Sequence, residues 1–166
     1  LKEVLLYAKE IDPKAILDGT FGRGGHTRAF LEEIPKASVV ALDQDLAAIE
    51  FGRQSFAMDI QKGRLRLVHG SFHDLESAGI QSGQGFDVIF LDLGVSSPQL
   101  DVAERGFSFY HDGPLDMRMN QSQPLTAAEV INTWSEVVLK DLFIELGEVR
   151  RPDRVIRAIV QDRKTK

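Results

Sequence analysis

Three acids stand at the ends of short apolar runs, and an aromatic follows a fourth run. Asp18 follows Ala15-Ile16-Leu17, Asp43 follows Ser38 to Leu42, Phe72 follows Arg64 to Val68, and Asp92 follows Phe86 to Leu91. Asp18 leads into Gly19-Thr20-Phe21-Gly22-Arg23-Gly24-Gly25-His26. A glycine-rich loop that opens a helix lets backbone N–H groups approach an anionic ligand. Gly22, Gly24 and Gly25 suit that task, because a Cβ would block the approach. The loop is not a dinucleotide fingerprint, since the pattern begun at Gly22 needs a small residue where Thr27 stands. No Gly-Lys-Ser/Thr follows, so it is not a P-loop either. The other reading is a structural glycine turn. Asp43 stands 18 residues after Gly25, where an acid can accept both hydroxyls of a ribose. The alternative is a helix N-cap, shared with Asp45. One cap leaves an acid at the strand end unexplained. Phe72 on its own reads most simply as a core residue.

Asp92 opens a longer stretch, Leu91 to Met119, reading LDLGVSSPQLDVAERGFSFYHDGPLDMRM. Gly94, Pro98, Gly106, Gly113 and Pro114 interrupt any long helix or strand. The stretch nevertheless keeps Phe107, Phe109, Tyr110, Leu115, Met117 and Met119. A loop of this composition reads as a binding loop or lid, or else as an irregular packed connection. Four histidines are scattered at 26, 69, 73 and 111, and there is no cysteine. No metal site and no disulfide is expected.

These positions need a scaffold. Leu1, Val4, Leu5 and Ala8 recur at helical spacing up to Asp12-Pro13. Strands are expected at Ala15–Leu17, Ser38–Leu42, Arg64–Val68 and Phe86–Leu91. Helices are expected after the glycine loop through Leu31, over Leu46–Met58 and near His73–Ala78. Alternating strands and helices predict a parallel sheet with helices on both faces. After Met119 no strand is found. Thr126-Ala127-Ala128-Glu129 is a capping box. Val138, Leu139, Leu142, Phe143 and Leu146 mark a helix stopped by Gly147. Pro152 opens another helix, carrying Val155, Ile156, Ile159 and Val160. Two domains are therefore expected: residues 1–119, and a small helical unit at 120–166.

The 166 residues are 43% hydrophobic and 27% charged, an ordinary globular composition. No apolar run approaches the roughly 20 residues of a membrane span, so a cytoplasmic protein without a membrane partner is expected. The net charge of −5 argues against indiscriminate nucleic-acid binding. Residues 150–166 nevertheless hold seven bases and two acids. That end reads as an RNA-facing patch or as a solvated helix face.

The stretch from Leu91 to Met119, together with DGTFGRGGHT near the start, closely resembles a known signature. It is that of the bacterial-type S-adenosylmethionine-dependent methyltransferases that modify the N4 amine of a cytidine in small-subunit ribosomal RNA. The resemblance covers most of the chain and weakens after Gly147. It implies a class I, Rossmann-like methyltransferase fold with an inserted helical unit. The last strands of that fold would follow the insertion, so the chain is expected to be truncated at its C-terminus. It implies S-adenosylmethionine as cofactor, with Asp18, Gly22, Gly24, Gly25, His26, Asp43, Phe72, Asp92 and Gln99 at its site and Phe72 against adenine. It also implies a catalytic role for Asp92. Amine methyltransferases carry Asp/Asn-Pro-Pro-aromatic at that place, but here the residues are Asp92-Leu93-Gly94-Val95-Ser96-Ser97-Pro98. Ser96, Ser97 or backbone carbonyls are the other candidate acceptors. Phe107, Phe109 and Tyr110 would stack an extruded base. The implied partner is small-subunit ribosomal RNA or the assembled small subunit, and a homodimer is compatible with the sequence. Rival functions are methylation of another nitrogen, in DNA cytosine or a small molecule, and RNA binding without turnover during ribosome assembly.

Overall fold

The computed structural model describes residues 1–81, 83 and 85–163. The chain forms two compact units: Leu1–Ser96 with Met119–Gln121, and Ser97–Arg118 with Ser122–Lys166.

The first unit is built on four parallel strands, β1 (Ala15–Asp18), β2 (Ser38–Asp43), β3 (Leu65–His69) and β4 (Val88–Phe90), in the order β3-β2-β1-β4. Sequence order therefore reverses at β1, the point where doubly wound sheets open a crevice at their carboxyl ends. Alternate residues of the central strands face opposite ways. Ile16, Val39 and Ala41 pack with Phe21, Phe30, Ile34 and Phe56, under α1 (Lys2–Ile11), α2 (Gly25–Glu33), α3 (Leu46–Ser55) and α4 (Ala57–Gln61). Leu17, Val40 and Leu42 face the other way, onto Ile80 with Leu75, Ala78 and Phe86. That second layer is made of turns, not of the helix expected over His73–Ala78. Asp74 accepts a hydrogen bond from the Ser77 N–H at 3.1 Å, and Gly79 and Ile80 turn back onto Glu76 and Leu75. Six residues are too few to pay for helix nucleation against such local bonds.

The helix expected over Leu46–Met58 breaks at Phe56, whose ring is buried in the first core layer. Asp87 precedes β4 and accepts the N–H groups of Lys14 and Ala15 at 2.7 and 2.9 Å. This stitches the start of β4 to the start of β1. The bonds, that from Ala15 first, hold the Asp87 carboxyl below its ordinary range.

The second unit holds α5 (Ser97–Asp101), a 3-10 turn (Ala103–Arg105), α6 (Ala127–Thr133), α7 (Glu136–Glu145) and α8 (Asp153–Asp162). Thr126 caps α6 through the Glu129 N–H at 3.1 Å, as the capping box predicts. Ser135 caps α7 through Val138. The left-handed residue beyond α7 is Glu148, not the expected Gly147. Gly147 is small for another reason, since a Cβ there would lie 2.8 Å from the Phe143 carbonyl.

The unit boundary also falls earlier than Met119. The 97–118 segment is tied to α6 by Ala127 N–H to Asp116 O (2.8 Å) and Ala128 N–H to Leu115 O (2.6 Å). Arg118 grips the Asp116 carboxylate at 2.7 Å and donates to the Gln123 carbonyl at 2.8 Å. The buried Arg105 donates to the Arg118 carbonyl at 3.0 Å. These bonds join irregular segments and leave no periodic trace in the sequence.

Candidate ligand site at the carboxyl edge of the sheet

β1 delivers Asp18 into full burial, at 0% exposure. One carboxylate oxygen accepts the Thr27 hydroxyl at 2.6 Å and the other accepts the Thr20 N–H at 3.1 Å. Burial raises the Asp18 carboxyl, and those two bonds partly restrain the rise. The side chain therefore holds the two ends of the glycine loop together from full burial. Thr27, which spoils the dinucleotide pattern, is the residue that completes this tie.

The loop is pinned to the neighbouring strand as well. Phe21 N–H donates to the Leu42 carbonyl and Gly22 N–H to the Asp43 carboxylate, both at 2.7 Å. Gly24 takes φ 73° at the N-cap of α2, and a Cβ there would lie 2.6 Å from the Phe56 ring. Gly22 and Gly25 differ, because a Cβ at either would meet nothing within 4 Å. The loop thus leaves open space above it. The N–H groups of Gly25, His26 and Thr27, at the first turn of α2, face no acceptor among the described residues. An anionic group is stabilised at such a place.

Asp43 ends β2 half-buried. Its second oxygen accepts the Asp45 N–H at 2.8 Å. Asp45 itself caps α3 through Ala47 at 3.0 Å, so the cap reading belongs to Asp45 and not to Asp43. Burial raises the Asp43 carboxyl, against the pull of the Asp45 and Gly22 N–H groups. Each carboxylate oxygen has more than one lone pair, so both can still accept a hydroxyl. Beside it, Gln44 donates to the Met119 sulfur at 3.2 Å, which brings the end of the long loop back to this edge.

Phe72, in the turn after β3, is 39% exposed and is not the core residue its type suggests. Its Cβ would lie 3.3 Å from a Cβ placed on Gly19, next to the start of the glycine loop. Asp92 follows β4 with an exposed carboxylate. Its N–H is fixed by the Thr20 hydroxyl at 2.7 Å, and its carboxylate stands 3.6 Å from His26 Nδ1. The His26 ring is held against Phe90, with centroids 4.5 Å apart. The first unit therefore brings the glycine loop, His26, Asp43, Phe72 and Asp92 to one sheet edge. Ser96 ends that unit. Ser97 and Gln99 lie on α5 in the second unit, with Gln99 buried there. Thr20 and Thr27 escaped sequence reasoning, since a lone threonine in a loop carries no signal of what it bonds. Among the described residues no cluster of acids and histidines could hold a metal ion. No helix among them is long and apolar enough to cross a membrane.

An acid-flanked glycine loop at the reversal point of an open parallel sheet defines a ligand-binding α/β protein. The chain belongs to the MraW methylase family, whose model matches residues 1–166. It is 56% identical over 149 residues to the ribosomal RNA small subunit methyltransferase H of Bdellovibrio bacteriovorus, covering 90% of this chain and 44% of that protein. It is 47% identical over 165 residues to the protein of the same name from Methylorubrum extorquens, covering 99% of this chain and 46% of that one. The chain spans about half the length of the curated relatives it matches. Among solved structures, an SAH-bound methyltransferase of Podospora anserina overlaps 55% of this chain and 38% of its own, at 26% identity and a TM-score of 0.46.

Proposed function

We propose that this chain carries the cofactor-holding part of an S-adenosylmethionine-dependent methyltransferase acting on the N4 amine of a cytidine in small-subunit ribosomal RNA. The observation that carries the reading is the convergence of the glycine loop, Asp43, Phe72 and Asp92 at the carboxyl edge of the sheet. The names of the relatives support the substrate. The open space above Gly22 and Gly25 and the free N–H groups of α2 fit the carboxylate of a methionine moiety. Asp43 fits ribose hydroxyls, and the half-open Phe72 ring fits adenine.

When bound, the sulfonium supplies an already activated methyl group. The protein then has to position the acceptor amine and exclude water. The cytosine N4 lone pair is conjugated with the ring. An acceptor for one N4 hydrogen favours pyramidal geometry and frees that pair. Asp92, exposed at the edge and fixed through its own N–H, is the group assigned to this, with Ser96 and Ser97 as the alternative acceptors. On the second unit, Phe109 and Tyr110 are 99% and 95% exposed, the exposure that stacking on an unpaired base requires. Their loop is anchored at both ends, because a Cβ on Gly106 would collide with the Pro114 carbonyl and one on Gly113 with the Ala103 carbonyl. The compartment would be that of the ribosome, the cytoplasm. The test is nucleoside mass spectrometry of small-subunit RNA from a strain lacking the modification, after incubation with cofactor and the full-length protein that carries this sequence; the 166 residues alone are expected to transfer no methyl group. Appearance of N4-methylcytidine is expected, and methyl transfer to a different atom, or none, would refute the proposal.

A further inference from the structure

We infer that the outward face of α8, together with Arg150 and Arg151 just ahead of it, is the surface that holds the phosphate backbone of the RNA. The inference rests on the RNA reading above. It names the residues that bind the substrate away from the reacting base.

The structure separates the basic residues of this end into two groups. Arg163 is turned inward, where its guanidinium donates to the carbonyls of Ile131 and Trp134 at 3.2 and 2.8 Å, at the end of α6. Pro152 and Ile156 are buried as well, and α8 packs on α7 with Leu139 also buried. One face of α8 is therefore fixed inward. Arg154 and Arg157 lie exposed on the other face, and Arg150 and Arg151 are exposed before it. Lys164 and Lys166 lie outside the described residues.

The exposed arginines carry charge that the fold does not neutralise. Arg150, Arg151 and Arg154 have no hydrogen-bond or ion-pair partner among the described residues, and Arg157 donates only to the Asp153 carbonyl at 3.2 Å. Asp153, the acid beside them, is already matched, since its carboxylate meets Lys140 at 2.5 Å. Arg154 and Arg157, three residues apart on α8, repel one another. That repulsion is relieved when an anion covers the face. Guanidinium groups match phosphate oxygens in planar, forked geometry. The whole chain carries a net charge of −5, so a polyanion is repelled elsewhere and finds attraction concentrated here. An anionic membrane suits this face less well, because a surface-lying helix must offer an apolar face, and that of α8 is spent on α7.

The test is equilibrium binding of small-subunit RNA to the full chain across a salt series. The parent is compared with a variant carrying Arg150→Gln, Arg151→Gln, Arg154→Gln and Arg157→Gln, and with one carrying lysine at the same four positions. Each phosphate contact contributes about 0.7 to 0.9 to the slope of log affinity against log salt. The glutamine variant is expected to lose about 3 of that slope and to bind at least about tenfold more weakly at moderate salt. The lysine variant should keep the slope, which separates a charge contact from a folding role. Arg163 is untouched in both variants, so the packing of α8 is preserved. A glutamine variant with the parent's slope would overturn the inference while leaving the RNA reading intact. A parent that fails to bind this RNA would overturn both.

Discussion

Replacing Gly24 with alanine is expected to destabilise the sheet unit by about 3 kcal/mol, from left-handed backbone strain and overpacking together. Gly24 sits at φ 73°, and the added Cβ would lie 2.6 Å from two Phe56 ring carbons and 2.8 Å from Phe21. Neither ring can give way cheaply. Phe21 and Phe56 are 3% and 1% exposed and meet edge to face at 5.5 Å. Arg28 lies over Phe56 at 4.3 Å, so displacement of that ring also disturbs α2. Gly25→Ala is the contrasting variant. It adds a methyl group at the next position, where nothing lies within 4 Å. Its stability should stay near that of the parent, while ligand binding above the loop falls. Urea denaturation of both variants checks the first effect. Equal stability of the two would show that the loop's glycines are not distinguished in this way.

Asp43→Ala is expected to act twice. It removes the acceptor of the Gly22 and Asp45 N–H groups, which should lower stability by about 2 kcal/mol for two partly buried donors left unmet. It also removes the acceptor assigned to the ribose, which should weaken S-adenosylmethionine binding by about 1–3 kcal/mol, tenfold or more. A residue that only touched ligand would show the second effect without the first. Denaturation and calorimetric titration of one variant separate the two roles. Unchanged stability would contradict the pinning of the loop, and unchanged affinity would contradict the ribose assignment.

Much of this edge was legible in the sequence, because buried parallel strands leave apolar runs and their ends leave a polar residue at a fixed place. Asp43 and the glycine loop were found that way. Phe72 was not: on its own it read as a core residue, and its exposure and its position beside Gly19 could not be read. What stayed hidden was tertiary. Asp18 looks like the other strand-end acids, but only the fold shows that it is fully buried, with Thr27 and Thr20 each bonded to one of its oxygens. The early boundary at Ser96 depends on Arg105, Asp116 and Arg118, whose bonds join loop segments with no periodicity. The turns over 73–78 displaced a helix because Asp74 satisfies a local N–H more readily than six residues can nucleate one. Over residues 150–166 the sequence showed seven basic residues without showing that Arg163 is turned onto the end of α6.

The most direct measurement is a calorimetric titration of the full chain with S-adenosylmethionine and, separately, with NAD. A pinned glycine loop with Asp43 beside it, and Thr27 in place of a third glycine, should yield saturable binding of S-adenosylmethionine at one site per chain and no saturable heat with NAD. Tight binding of NAD, or no binding of S-adenosylmethionine, would contradict the assignment of the sheet's carboxyl edge.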